Sequence, residues 1–296
     1  MTLTTPTNNA DIIQYTRDFA ALSLLEALNL QGASECAICE RWLDKMASHP
    51  QICPDGWYQP PPRGAVVLIG DDADKYARLN YESLRHPSSW PRDNIHLSDL
   101  SLIYAYASPI HRSTGLIGDI GVTLYRGSQS RIQEYLRACL DLTVRVACFA
   151  DIGMEFRELY HFASQQLQNA HFKNEASSTA TGIPNIGHTI PWSFEPYRDN
   201  AAETIRTYGA CNLQMEISKQ RISIGSDVTM RILPTMAFTI EPQLKADNLP
   251  LASYHVIVTF SDGQKKILGG FEPLFSDFSM MSYMESTLDK LYRPTS

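Results

Sequence analysis

The stretch TMAFTIEPQL, residues 235 to 244, sets an acid, Glu241, directly after the apolar run Phe238, Thr239, Ile240 and directly before Pro242. Apolar and β-branched residues favour a strand, and a proline ends one because it has no N–H for the ladder. A strand that finishes by presenting a carboxylate looks like part of a site. The rest of the sequence must show what the acid holds.

Working outward, YHVIVTFSDGQKKIL (254 to 268) reads as a hairpin turning at Asp262-Gly263, and LQMEISKQRISIG (213 to 225) as another turning at Ser218 to Gln220. GAVVLIG (64 to 70), LSLIYAYASP (100 to 109) and GLIGDIGVTLYRG (115 to 127) are further strands. Residues 11 to 30 carry apolar positions at helical spacing and stop near Gly32; a second helix opens on Ser34 as N-cap, with Glu35 at its positive end. The same arrangement returns at 131 to 170, with a break at Gly153 and a second helix from Glu155. Helical pair followed by strands, twice, predicts an α+β domain of two similar halves with helices covering a curved sheet. The chain, 1 to 296, is expected to be one domain with a flexible start over 1 to 14 and an insertion at 81 to 100.

A net charge of -7 with 19% charged residues gives no basic footprint for nucleic acid or an anionic membrane surface. No apolar run approaches the roughly 18 residues that span a bilayer, and the N-terminus lacks a basic start followed by an apolar core. A cytoplasmic location is therefore expected. Cys36, Cys39, Cys53, Cys139, Cys148 and Cys211 are dispersed, which argues for reduced thiols. The C-x-x-C pair Cys36 and Cys39 lies on a helical core stripe and reads as small buried hydrophobes; a metal or redox pair is the alternative.

Taken in order, GDIGVTLYRG with Asp119, NIGHTIPWSFEP with His188 and Glu195, FTIEP with Glu241 and SYHVIVTFSDG with His255 resemble the pita-bread metallopeptidase family. That family includes methionine aminopeptidase, the proline peptidases and creatinase. The resemblance spans roughly residues 15 to 270, and it implies the pseudo-symmetric pita-bread fold without the extra N-terminal domain of the proline peptidases. Its peptidases hold two metal ions on Asp, Asp, His, Glu and Glu, because two close dications need several anionic oxygens and a bridging water to acidify. Asp119, His188 and Glu241 match the first aspartate, the histidine and the first glutamate; the second aspartate position counts to Ser130 and the last glutamate position to Tyr254, beside His255.

With two carboxylates missing, a two-metal peptidase is not expected. Two readings of the residues remain. In one, Asp119, His188, Glu241 and His255 hold a single divalent iron, zinc or manganese ion, which requires His255 rather than Tyr254 to face the site. In the other, no metal binds, and His188 with Glu241 performs acid-base chemistry on a small amino-acid-like molecule, cleaving a C–N or related bond as the resemblance to creatinase implies. A non-catalytic binding module is a third possibility from a different class. His111, in YASPIH, and Glu195 are further catalytic candidates that the resemblance places near the pocket. Trp57, Tyr58 and Arg63 in the proline-rich loop 54 to 64, Arg85 and Trp90 in the 81 to 100 segment, and Tyr254 are the substrate-binding candidates. The partner expected is a small polar substrate, and relatives imply a homodimer.

Overall fold

The computed structural model describes residues 8–30, 32–54, 64–71, 76–81, 83–177, 182–190, 221–261, 263–280 and 282. Its first helix, α1 (Asn9–Leu28), starts where Asn8 accepts a hydrogen bond from the Asp11 N–H. Of the expected flexible start, residues 1 to 7 lie outside the described residues, while residues 9 to 14 are helical and Ile13 is fully buried. Ser34 caps α2 (Glu35–Ala47) by accepting from the Ala37 N–H, as its position before an acid predicts. Trp42 of α2 is buried against α1 and donates its indole N–H to the Ala20 carbonyl at 2.9 Å.

The chain then forms β1 (Ile52–Cys53), β2 (Ala65–Gly70), β3 (Leu102–Ala107), β4 (Ile110–His111) and β5 (Ile120–Tyr125). β2, β3 and β5 make an antiparallel sheet in that order, with Tyr106 opposite Gly121. All three strands are buried along their whole length, as expected of strands covered on both faces. A second helical pair follows, α3 (Ser130–Phe149) and α4 (Phe156–Asn169), the latter opened by a reciprocal cap between Glu155 and Glu158. After β6 (Lys173–Asn174) come β7 (Met236–Ile240), β8 (Leu244–Lys245), β9 (Val256–Ser261), β10 (Gln264–Leu268) and the short helix α5 (Glu272–Asp277). β7, β9 and β10 form the second antiparallel sheet, in the order β10-β9-β7.

Each half is thus a helical pair laid on a three-stranded antiparallel sheet: α1 and α2 contact the first sheet, α3 the second. The two sheets meet just before β9. The His255 N–H donates to the Gly121 carbonyl at 2.8 Å, and the Ser253 N–H donates to Thr123 Oγ1 at 2.9 Å. Residues 253 to 255 therefore run along β5 before entering the other sheet. Of the expected hairpin at 213 to 225, the turn at Ser218 to Gln220 lies outside the described residues, while Ser223 forms an isolated bridge with His188. No helix among the described residues is long and apolar enough to cross a membrane.

Candidate active site

Glu241 follows the last residue of β7 and donates its N–H to the Ile186 carbonyl at 2.8 Å. This holds the strand end beside the segment that carries His188. His188 is itself fixed by two bonds to Thr239 of β7: its N–H donates to Thr239 Oγ1 at 3.0 Å, and its carbonyl accepts from the Thr239 N–H at 2.8 Å. Close approach of these segments explains the glycine before the histidine. Gly187 has φ +152°, and a Cβ there would overlap the Thr239 carbonyl oxygen.

Asp119 immediately precedes β5 and is completely buried, while His255 arrives from the chain that runs along β5. Four groups converge. His188 Nε2 lies 3.1 Å from Glu241 Oε1, His255 Nδ1 lies 3.2 Å from Glu241 Oε2, and the same Nδ1 lies 2.7 Å from Asp119 Oδ1. Asp119 Oδ2 accepts from the Tyr106 hydroxyl at 2.9 Å, and Tyr104 Oη lies 3.4 Å from His255 Nε2. Behind them Arg17 of α1, fully buried, donates to the His255 carbonyl at 2.6 Å and to the Gly269 carbonyl at 2.8 Å.

The electrostatics follow from this packing. Burial opposes the charge on Glu241, but the neighbouring His188 and His255 outweigh it and hold the carboxyl down at about 2. Burial likewise opposes charge on His255, yet Glu241 and Asp119 raise it above its ordinary value of 6.5. Burial lowers Arg17 to about 10, which leaves it cationic at neutral pH behind the two acids. The Tyr104 and Tyr106 phenols are pushed well above their ordinary range, first by burial, and serve as neutral donors.

A cavity of about 90 Å³ is lined by Tyr81, Tyr104, Tyr106, His188, Glu241 and His255 among others, while Asp119 and Arg17 lie buried behind it. The structure brings together the four sequence candidates Asp119, His188, Glu241 and His255. It resolves the choice between the adjacent residues 254 and 255 in favour of His255. Tyr254, expected at the substrate, is fully buried and packs on Phe271 and Phe275, because consecutive residues of an extended chain point to opposite faces. Ser130, the counted aspartate position, is the exposed first residue of α3; the strand paired with β5 lies upstream and presents Tyr104 and Tyr106 instead.

His111 is not among the described residues that line the cavity. It sits on β4, its Nδ1 2.9 Å from Thr114 Oγ1, with burial lowering its basicity. Arg85 is exposed and Trp90 half-buried, and neither lines the cavity; the 81 to 100 segment contributes Tyr81, Ser83 and Leu84. Glu195, Trp57, Tyr58 and Arg63 lie outside the described residues. Sequence reasoning missed Tyr104, Tyr106 and Arg17. The period-two spacing of the two tyrosines was the available signal for a shared face; for Arg17 there was none, since its partners lie more than two hundred residues away.

The two-metal group of the pita-bread peptidases does not fit this donor set. The cluster offers two carboxylates, Asp119 and Glu241, and their other near neighbours are the Tyr106 phenol and the His188 and His255 imidazoles. A single ion has a smaller requirement, and ligand atoms of Asp119, His188 and Glu241 lie within 4.8 Å of one another.

No family model matches the sequence, and no curated protein matches it. Solved structures do. The chain is similar to X-Pro aminopeptidase from Thermotoga maritima at TM-score 0.58 and 14% identity, covering 89% of this chain and 62% of that one. It is similar to the prolidase from Pyrococcus horikoshii at TM-score 0.58 and 13% identity, covering 90% and 63%. It is also similar to methionine aminopeptidase from Rickettsia prowazekii at TM-score 0.58 and 11% identity, covering 89% and 98%. The fold is therefore the pita-bread fold that these peptidases share. The chain spans about three fifths of the length of the X-Pro aminopeptidase and the prolidase, and nearly all of the methionine aminopeptidase.

Proposed function

We propose that this protein is an enzyme that cleaves a C–N or related bond in a small, polar, amino-acid-like molecule by acid-base chemistry, without a two-metal centre. The observation that carries this is the convergence of His188, Glu241 and His255 on one cavity, with the buried Asp119 behind His255, through contacts of 2.7 to 3.2 Å. His188 and Glu241 act as one acid-base pair: the Thr189 carbonyl, 3.1 Å from Nδ1, fixes the ring, and the proton exchanged with substrate is the one held between Nε2 and Glu241 Oε1 at 3.1 Å. Glu241 supports His188 and any cationic intermediate, and Asp119 orients His255. Tyr104 and Tyr106 line the same cavity, Tyr104 beside His255 and Tyr106 donating to Asp119. Fold likeness supports the scaffold and not the reaction, so the chemistry rests on the side chains alone.

A second reading is favoured by the spacing of Asp119, His188 and Glu241, which would let these three hold one ion that polarises a substrate oxygen or a water. Both readings are tested together. A panel of N-acyl, amidino and guanidino amino acids is assayed with protein treated with a chelator, with His188→Ala, and with metal added back. The acid-base reading expects turnover that survives chelation and falls by about 100-fold or more in His188→Ala. Turnover that returns only with a divalent ion would overturn it in favour of the single-ion reading.

A further inference from the structure

Asp119 and Glu241 face one another across a buried floor, where two carboxylates repel unless a donor or a cation stands between them. What stands there is the His255 ring. Its Nδ1 lies 2.7 Å from Asp119 Oδ1 and 3.2 Å from Glu241 Oε2, so the two acids share one N–H. The remaining oxygens have partners too, Tyr106 on Asp119 at 2.9 Å and His188 on Glu241 at 3.1 Å.

The ring has a seat made for it. Gly121 of β5 lies directly beneath, and a Cβ at that position would overlap three atoms of the imidazole. The backbone of His255 is tied on both sides, its N–H to the Gly121 carbonyl at 2.8 Å and its carbonyl to Arg17 at 2.6 Å. A residue that only filled space would need neither the glycine nor the buried arginine.

We propose that His255, seated on Gly121, takes the bridging place of an ion between Asp119 and Glu241, and that Asp119, His188 and Glu241 form a latent single-ion site which opens when the ring is removed. This rests on the metal-free acid-base reading above. With the ring present, an ion bridging the two acids must displace the N–H they share. With it gone, the buried Asp119 and the half-buried Glu241 keep an imidazole partner within ligand distance, a donor set suited to zinc or cobalt.

The test measures metal and not turnover. Wild type, His255→Ala and Gly121→Ala are each dialysed against Co²⁺, and bound metal is read by elemental analysis and by the visible d–d absorption. Wild type is expected to stay substoichiometric, while His255→Ala takes up one equivalent that is lost again in the His255→Ala/Glu241→Gln double variant. Gly121→Ala, which keeps the imidazole but pushes it from its seat, is expected to behave like His255→Ala and stands in for it if that variant does not fold. Stoichiometric Co²⁺ in wild type would overturn both the bridge and the metal-free reading, whether or not His255→Ala also releases it. Folded variants that take up no Co²⁺ would overturn the latent site alone and leave the acid-base reading standing.

Discussion

Tyr106 donates its hydroxyl to Asp119 Oδ2 at 2.9 Å, from a strand that precedes the aspartate by 13 residues. The bond crosses the β3–β5 pair and occupies the second oxygen of Asp119 with a phenol. A hydrogen bond to a buried charged acceptor contributes about 1.5–3 kcal/mol. Tyr106→Phe is therefore expected to lower stability by that amount in urea denaturation with the slope unchanged. A loss within the error of the measurement would show that Asp119 does not depend on the phenol.

Gly187 and Gly153 both have positive φ, but only Gly187 faces an obstacle, the Thr239 carbonyl. Gly153→Ala carries the left-handed backbone penalty alone, about 1–2 kcal/mol. Gly187→Ala must in addition push β7 away from His188, so it is expected to lose distinctly more in the same assay. Equal losses at the two sites would refute the close-approach argument.

The ionised cluster makes stability depend on pH from both sides. Glu241 is held at about 2, below its ordinary 4.5, so its contribution is complete above 4.5 and disappears as pH falls toward 2. His255 is raised above 6.5, so its contribution is complete below 6.5 and is lost as pH climbs through the folded-state value. Denaturation midpoints from pH 2 to 9 should show the cluster contributing most between 4.5 and 6.5. In Glu241→Gln the acid limb is expected to flatten; an unchanged acid limb would assign the dependence to other carboxylates.

Glu35, fully buried at the start of α2, accepts from the Ile69 N–H at 2.7 Å, the Arg92 N–H at 3.0 Å and the Arg78 guanidinium at 2.8 Å. Arg78 donates in turn to the carbonyls of Ser88 and Trp90. One ion pair thus pins both ends of the segment whose Tyr81, Ser83 and Leu84 wall the cavity. Burial raises the Glu35 carboxyl, so its charge depends on these donors. Glu35→Ala leaves Arg78 without its partner and is expected to cost about 3–5 kcal/mol, with part recovered when Arg78 is also replaced by Met. A double-mutant cycle with no coupling would sink this account.

Much of the fold was legible because its signals are local. Ser34 before an acid, the break at Gly153 and the alternation in LIYAYA each depend on a few neighbouring residues, and each gave the element the structure contains. The site was legible in part. His188 and Glu241 stood out through their flanking residues, whereas the count from Asp119 led to Ser130, which the structure places at the exposed start of α3. The chain turns into α3 there, and the strand that faces Asp119 had already passed.

The sequence by itself determined the helical pairs, the strands and the acid at the end of FTIEP, since propensity, caps and periodicity act over one or two turns of chain. Only the tertiary structure decided that His255 faces inward while Tyr254 packs against Phe271, and that a buried arginine from α1 holds the His255 carbonyl. Those outcomes depend on which strand lies beside which. A period of two names the alternative faces and cannot choose between them until a second sheet closes over one.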